Sequence, residues 1–197
     1  MSFIDHHDVF IGSTDDGWTF AVLNRHLPRE ARQSLTDAGF TARAHQGRTL
    51  YLFPPGQPTA ETHERAGIAL YGLLAHTMDF ADLFWTTRWP NPGPAKADVR
   101  ITVADDQVTA TARSTSATEI LAQHGFLPTP AGRTLPAGLS ERDRVAAIVR
   151  AESHLHADGI TVHVSLGIPT LNAIPPAPGW ATGPTPGPAS PTRPRTR

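Results

Sequence analysis

The order of apolar and polar residues predicts short strands that alternate with helices, twice over, along the chain. Short β-rich runs bounded by turn residues indicate strands, and apolar residues three or four positions apart indicate helices. In the first half the pattern predicts strands over 9–13 and 18–24, a helix over 28–38, a hairpin turning at Gln46-Gly47, a helix over 59–78 and a strand over 80–86. The apolar stripe of the longer helix is predicted to face the core; it consists of Ile68, Tyr71, Leu74, Ala75 and Met78.

The second half repeats the first. DVFIGSTDDGWTFAV (8–22) aligns with DVRITVADDQVTATA (98–112) at six of fifteen positions, where average composition would give about one identity by chance. The match continues in order, with residues 31–40 over 117–126 and the tetrapeptide GRTL at both 47–50 and 132–135. These identities indicate a tandem duplication.

The repeat predicts an α+β fold. Without its leading strand, each unit has the order βαββαβ, which is the ferredoxin-like plan with an antiparallel sheet. We expect one unit over 1–89, a linker over 90–97 and a second unit over 98–174. Residues 175–197 contain eight prolines and are expected to form a disordered Pro-rich tail.

Composition narrows the classes of function. The 197 residues include 18 acidic and 17 basic side chains, and three of the arginines lie in the tail, so the body to residue 174 carries 14 minus 18, or −4. This charge argues against a general phosphate-binding surface. The absence of cysteine excludes disulfides, thiol catalysis and iron–sulfur ligation. No apolar run approaches the ~20 residues of a membrane span, so we expect a cytoplasmic protein without a membrane partner.

Two acidic doublets fall at equivalent places in the two units. Asp15-Asp16 and Asp105-Asp106 both lie between predicted paired strands. Aspartate favours such turns because its side chain bonds nearby backbone N–H groups. A turn is therefore the preferred interpretation, and metal binding or acid–base chemistry is the alternative.

Aromatic residues of the first unit form the candidate binding site. Trp18 and Phe20 alternate along one predicted strand, Tyr51 and Phe53 along its neighbour, and Arg48 precedes Tyr51 closely. This arrangement is reminiscent of RNA-recognition modules, in which aromatic residues on two central strands stack on bases. The alternative is that the same residues are core or pack against the second unit, whose corresponding positions are small.

A histidine-rich segment is the other candidate site. Glu152, His154 and His156 lie near the end of a predicted helix, and His163 lies on the next strand. Two histidines two positions apart on a helix diverge by about 200°. The group therefore lacks the spacing of a zinc-protease helix, and we predict no metal, no other cofactor and no catalytic residue.

The opening HHDVFIG, a helix ending in AGF and the strand GRTLYLFP resemble small uncharacterised actinobacterial proteins of the Streptomyces kind. Such proteins are often carried on plasmids or integrative elements. The resemblance covers roughly residues 5–80, implies an accessory protein of a mobile element, and brings no catalytic residues with it.

These observations favour a non-enzymatic interaction or regulatory protein. It would bind a protein partner, or a second copy of itself, through its sheet surfaces. Single-stranded nucleic-acid binding through Trp18, Phe20, Arg48, Tyr51 and Phe53 is the alternative. A metal-dependent enzyme built on Glu152, His154, His156 and His163 is the weaker one.

Overall fold

The computed structural model describes residues 2–87, 96–104 and 107–180. Within these ranges the protein is a mixed α+β structure with two five-stranded sheets and five α-helices. The predicted linker lies largely outside the described residues, as do Asp105, Asp106 and residues 181–197.

The first half contains one sheet and three helices. Its elements, in chain order, are β1 (Val9–Ser13), β2 (Thr19–Leu23), α1 (Arg29–Asp37), β3 (Thr41–His45), β4 (Arg48–Phe53), α2 (Thr59–Leu74), β5 (Phe80–Asp82) and α3 (Phe84–Thr87). The strand order is β3-β4-β2-β1-β5. The leading strand β1 therefore lies inside the sheet, between β2 and β5.

The second half has the same order of elements apart from α3. It contains β6 (Val99–Ala104), β7 (Gln107–Ala112), α4 (Thr115–Gln123), β8 (Leu127–Thr129), β9 (Gly132–Thr134), α5 (Glu141–Ala157) and β10 (Val162–Ser165). Read from its β8 edge, its strand order is β8-β9-β7-β6-β10, which matches the first sheet strand for strand.

The prediction of purely antiparallel sheets is wrong. β1 pairs in parallel with β5, and β10 pairs in parallel with β6. In each half the last strand returns after the long helix and runs in the same direction as the leading strand. A helical crossover is the connection that parallel pairing requires.

Local signals account for several element boundaries. The β3–β4 hairpin turns at Gln46 (φ 41°) and Gly47 (φ 81°), as predicted, and two adjacent positive φ angles are typical of a type I′ turn. The Ser140 hydroxyl accepts a hydrogen bond from the Asp143 backbone N–H at 3.2 Å and thereby caps α5. Two boundaries differ from the predictions, because α2 ends at Leu74 and the strand expected over 80–86 becomes β5 followed by α3.

The central strands of the first sheet are covered on both faces. One face packs on α1 and α2 through residues that include Val9, Ala21 and Phe53. The other face, which includes Phe10 and Phe20, belongs to a core shared with the second half. The edge strand β3 is exposed.

The Asp15-Asp16 doublet is a turn, and the turn joins the two halves. The backbone N–H of Asp15 donates to the Ile168 carbonyl at 2.9 Å, and that of Asp16 donates to the Pro169 carbonyl at 3.1 Å. The Thr14 hydroxyl donates to the Asp16 carboxylate. The doublet thus fixes the hairpin against the segment that follows β10.

The start of the predicted tail lies on the first half. The Ala177 backbone N–H donates to the Gln46 carbonyl at 2.9 Å, and the Arg48 guanidinium donates to the Pro176 carbonyl at 2.6 Å. Residues 175–180, here called the C-terminal strap, therefore lie along the β3–β4 hairpin.

Candidate functional site

The outer surface of α2 and the turn that follows it expose large apolar side chains. Tyr71 and Met78 are 80% and 81% exposed, and Ile68 and Leu74 are also exposed. The prediction that this stripe faces the core is wrong. We call these four side chains, with Gly67 and Ala75 beside them, the α2 stripe.

The prediction for this stripe was wrong because α2 is apolar on two sides. Its inner side packs Ala66, Ala69 and Leu73 beneath the first sheet. Both stripes repeat at helical spacing, so the sequence periodicity does not say which of them is buried. A helix that is apolar all round is usually buried all round. The α2 stripe is therefore the most conspicuous exposed apolar surface among the described residues.

An aromatic pair extends this surface at the N-terminal part of α2. The Trp85 indole is about half exposed and lies 4.0 Å, centroid to centroid, from the His63 ring of α2. Phe84, the residue before Trp85, is fully buried. In α3, Phe84 therefore packs in the core, whereas the neighbouring Trp85 lies at the surface.

The predicted aromatic site does not form one surface. Phe20 is fully buried in the core that the two halves share. Tyr51 and Phe53 lie on the opposite face of the sheet, beneath α1 and α2. Trp18 precedes β2 and packs, partly buried, against the shared core. Neighbouring strands carry these residues, but the pleat sends Phe20 to one face and Tyr51 and Phe53 to the other.

Tyr51 and Arg48 nevertheless line one cavity. It has a volume of about 300 Å³ and lies between the β2–α1 loop and the β3–β4 hairpin. Its lining includes Arg25, His26 and Arg32. A second cavity, of about 420 Å³ between α1 and β3, shares Arg32 and Tyr51 with the first.

The basic residues of this cavity were not predicted as a site. They were visible as a local cluster, because four of the eight residues in RHLPREAR (25–32) are arginine or histidine and only one is acidic. The loop that ends β2 and the first turns of α1 carry this cluster toward the hairpin that holds Arg48.

The histidine-rich segment does not converge. Glu152 is buried and accepts a hydrogen bond from the Thr86 hydroxyl. His154 contacts His124 of α4, with their ring nitrogens 3.1 Å apart, while His156 is exposed. No group of three or more potential metal ligands comes together within the described ranges.

Two titratable groups in this region have shifted pKa values. Burial raises the pKa of Glu152 to about 8; the Thr86 hydrogen bond opposes the shift and the Asp82 charge adds to it. Burial also lowers the pKa of His124, and the charges of His154 and Arg150 lower it further. The carboxyl group of Glu152 therefore carries a proton near neutral pH and joins the halves as a neutral group.

None of the helices in residues 2–87, 96–104 and 107–180 combines the length and apolar character needed to cross a bilayer. Comparisons with family models, curated proteins and solved structures found no match to this chain.

Proposed function

We propose that the protein is a non-enzymatic interaction module that pairs with a second copy of itself through the α2 stripe. The observation that carries the proposal is the exposure of Ile68, Tyr71 and Leu74 along one side of α2, with Met78 exposed in the turn that follows it. Contiguous exposed apolar side chains of this size are typical of interaction sites.

The stripe is self-complementary about Tyr71. Ile68 and Leu74 lie three residues before and after it, and Gly67 and Ala75 lie four residues before and after it. When two such helices pack antiparallel across a two-fold axis at Tyr71, Ile68 faces Leu74 of the second copy and Gly67 faces Ala75. Large residues then meet large ones and small residues meet small ones, as an isologous interface requires.

Charge also favours a second copy as the occupant. The segment from Ala66 to Ala75 contains no charged residue, so two identical surfaces do not repel each other.

The expected affinity is modest. Burying a Leu, Ile or Met side chain contributes about 1.5–3 kcal/mol, whereas association costs about 4–15 kcal/mol. An interface one helix wide lies at the small end of specific interfaces. We therefore expect a dimer with a Kd of about 1 μM to 100 μM.

Sedimentation velocity and light scattering across a concentration series test the proposal. Leu74→Glu places a charge in the centre of the stripe and should leave a monomer at all concentrations. Leu127→Glu is the matched control, because Leu127 is also an exposed leucine (52%, against 41% for Leu74) but lies on β8. Wild-type protein that stays monomeric at about 1 mM, ten times the weakest expected Kd, would contradict the proposal.

The two halves are, in our proposal, tandem copies of one ββαββαβ unit. Their identical strand orders and the six identities in fifteen aligned positions support this interpretation. Each copy would be a ferredoxin-like βαββαβ core with its leading strand inserted beside the last one. The short-motif resemblance favours a cytoplasmic accessory protein of a mobile element.

A further inference from the structure

The cavity beside Tyr51 is lined by three arginines and a histidine. Arg25, His26 and Arg32 approach it from the β2–α1 loop and α1, and Arg48 approaches it from the hairpin. Arg29 and Arg32 line the adjoining cavity. No acidic side chain of the described residues lines either cavity. This concentration of positive charge contrasts with a body that carries −4.

The charges of these arginines are only partly neutralised. Arg25 lies 3.4 Å from the Asp8 carboxylate with 70% of its side chain exposed. Arg32 donates to a neutral acceptor, the Leu27 carbonyl, at 3.4 Å. Guanidinium groups in a partly enclosed site attract anions more strongly than they would in open water.

Arg48 has donors to spare. Its side chain is only 6% exposed, and its Nη2 donates to Asp5 at 2.8 Å and to the Pro176 carbonyl at 2.6 Å. Its Nε and Nη1 are buried and have no hydrogen-bond partner within the described chain. Buried donors are almost always satisfied in proteins. An oxyanion bound beside Arg48 would supply acceptors for these donors once the guanidinium turns toward the cavity that Arg48 lines.

The remaining walls suit an organic molecule. Leu23 and Leu27 contribute apolar surface, and the Tyr51 side chain lies where the two cavities meet. Burial raises the pKa of the Tyr51 phenol, and the Arg32 guanidinium opposes this shift. The phenol thus keeps its proton and can donate a hydrogen bond. The volume of about 300 Å³ is that of a site for a small molecule.

We propose that this cavity binds a small phosphorylated molecule, with Arg25, Arg32 and Arg48 holding the phosphate and Tyr51 contacting the organic part. Guanidinium groups match phosphate oxygens in geometry and charge. The site is distinct from the α2 stripe, since none of the stripe residues lines either cavity.

The C-terminal strap forms one wall of this site. Ala177 and Pro178 line the cavity, and the Pro176 carbonyl occupies one donor of Arg48. A ligand that draws Arg48 toward itself competes with this carbonyl. Trp180, whose indole rests against Gly47, would report the resulting movement of the strap.

Isothermal titration calorimetry on the full chain tests the proposal. The probes are glucose 6-phosphate, adenosine monophosphate, inorganic phosphate and, as the uncharged control, glucose. At least one phosphate ester should bind with one-to-one stoichiometry and more tightly than inorganic phosphate, and glucose should not bind. No saturable binding of either ester up to about 10 mM, a concentration at which a Kd of 1 mM is readily seen, would overturn the proposal.

Arg32→Gln is the decisive variant, because Arg32 lines both cavities and has no role in the buried Asp5–Arg48 pair. It should weaken ester binding by about tenfold or more, as expected for the loss of a charged hydrogen bond. Arg43→Gln is the matched control, since Arg43 is an exposed arginine of β3 outside both linings. Equal losses in the two variants would mean nonspecific charge attraction and would overturn the assigned site.

Binding should be unchanged in Leu74→Glu, so failure of the site and failure of the dimer are distinguishable. Tryptophan fluorescence gives a second readout. A saturable change on ester binding that disappears in Trp180→Phe would support the role of the strap. Calorimetric binding with no change in Trp180 emission would show that the strap is not part of the site.

Discussion

Thr86, at the end of the first half, donates its hydroxyl hydrogen to the carboxyl group of Glu152 in α5, and both side chains are buried. The Asp82 carboxyl is partly buried, accepts a hydrogen bond from the Phe84 backbone N–H at 3.0 Å, and has a raised pKa because of its burial. Two acidic groups thus lie in the contact between β5–α3 and α5. Ionisation of both would place two like charges in this contact and weaken it.

Glu152→Gln should make the protein more stable at pH 8 and flatten its pH dependence. The pKa of Glu152 is raised from 4.5 to about 8, so its contribution is complete below pH 4.5 and is lost as the pH rises through 8. Each pH unit in this window changes the free energy of unfolding by at most about 1.4 kcal/mol. Glutamine removes the ionisation and retains a polar partner for Thr86.

Urea unfolding of both proteins between pH 5 and pH 9 measures this effect. The difference in the free energy of unfolding should grow with pH in favour of the variant. Glu64→Gln on the exposed side of α2 serves as the control and should keep the wild-type slope. Parallel slopes for wild type and Glu152→Gln would show that Glu152 does not titrate in this range.

Asp5→Asn should destabilise the protein strongly. The Asp5 carboxylate lies 2.8 Å from Arg48, with 3% and 6% of the two side chains exposed, so the variant leaves a buried guanidinium without its counter-charge. Removal of one partner of a buried ion pair costs about 3–5 kcal/mol.

The chain provides a matched control for this pair. Glu61→Gln breaks the Glu61–Arg65 pair, which has a similar length of 2.9 Å but about 40% exposure on both sides. Its loss should change the free energy of unfolding by less than about 1 kcal/mol. Chemical denaturation of the two variants gives both values. Equal costs would mean that burial of the Asp5–Arg48 pair contributes little.

Gly47→Ala should loosen the C-terminal strap. Gly47 has a φ of 81°, and a Cβ atom there would overlap the Trp180 indole. Gly56→Ala separates the two effects, because Gly56 has a φ of 86° and open space around its Cα. Left-handed backbone costs about 1–2 kcal/mol for a residue with a Cβ, so both variants lose that amount. Only Gly47→Ala should shift tryptophan emission to longer wavelength, and an equal shift in Gly56→Ala would place the strap elsewhere.

Much of the fold could be predicted because its signals are local. The Gln46-Gly47 turn and the Ser140 cap follow from the conformations that these residues favour. The Asp15-Asp16 turn follows from the preference of aspartate for such positions. The boundaries of α2 and of the strand at 80–86 were predicted less well. Backbone hydrogen bonds to the Leu73 carbonyl close the end of α2, and backbone hydrogen bonds to the Leu83 carbonyl form α3.

The candidate sites could be predicted only in part. Tyr51 and Arg48 do line a cavity, but together with Arg25 and Arg32 rather than with Phe20. The sequence contains the basic cluster and the hairpin arginine, but no local sequence pattern predicts that the β2–α1 loop meets the β3–β4 hairpin.

By itself, the sequence determined the alternation of elements and the turns, because these depend on backbone preferences and spacing within about ten residues. Only the tertiary structure decided which apolar stripe of α2 is buried and which face of the first sheet receives Phe20. It also decided that Glu152 meets Thr86. The physical reason is that burial depends on contacts between segments far apart in the chain: two stripes of similar hydrophobicity differ only in what lies against them.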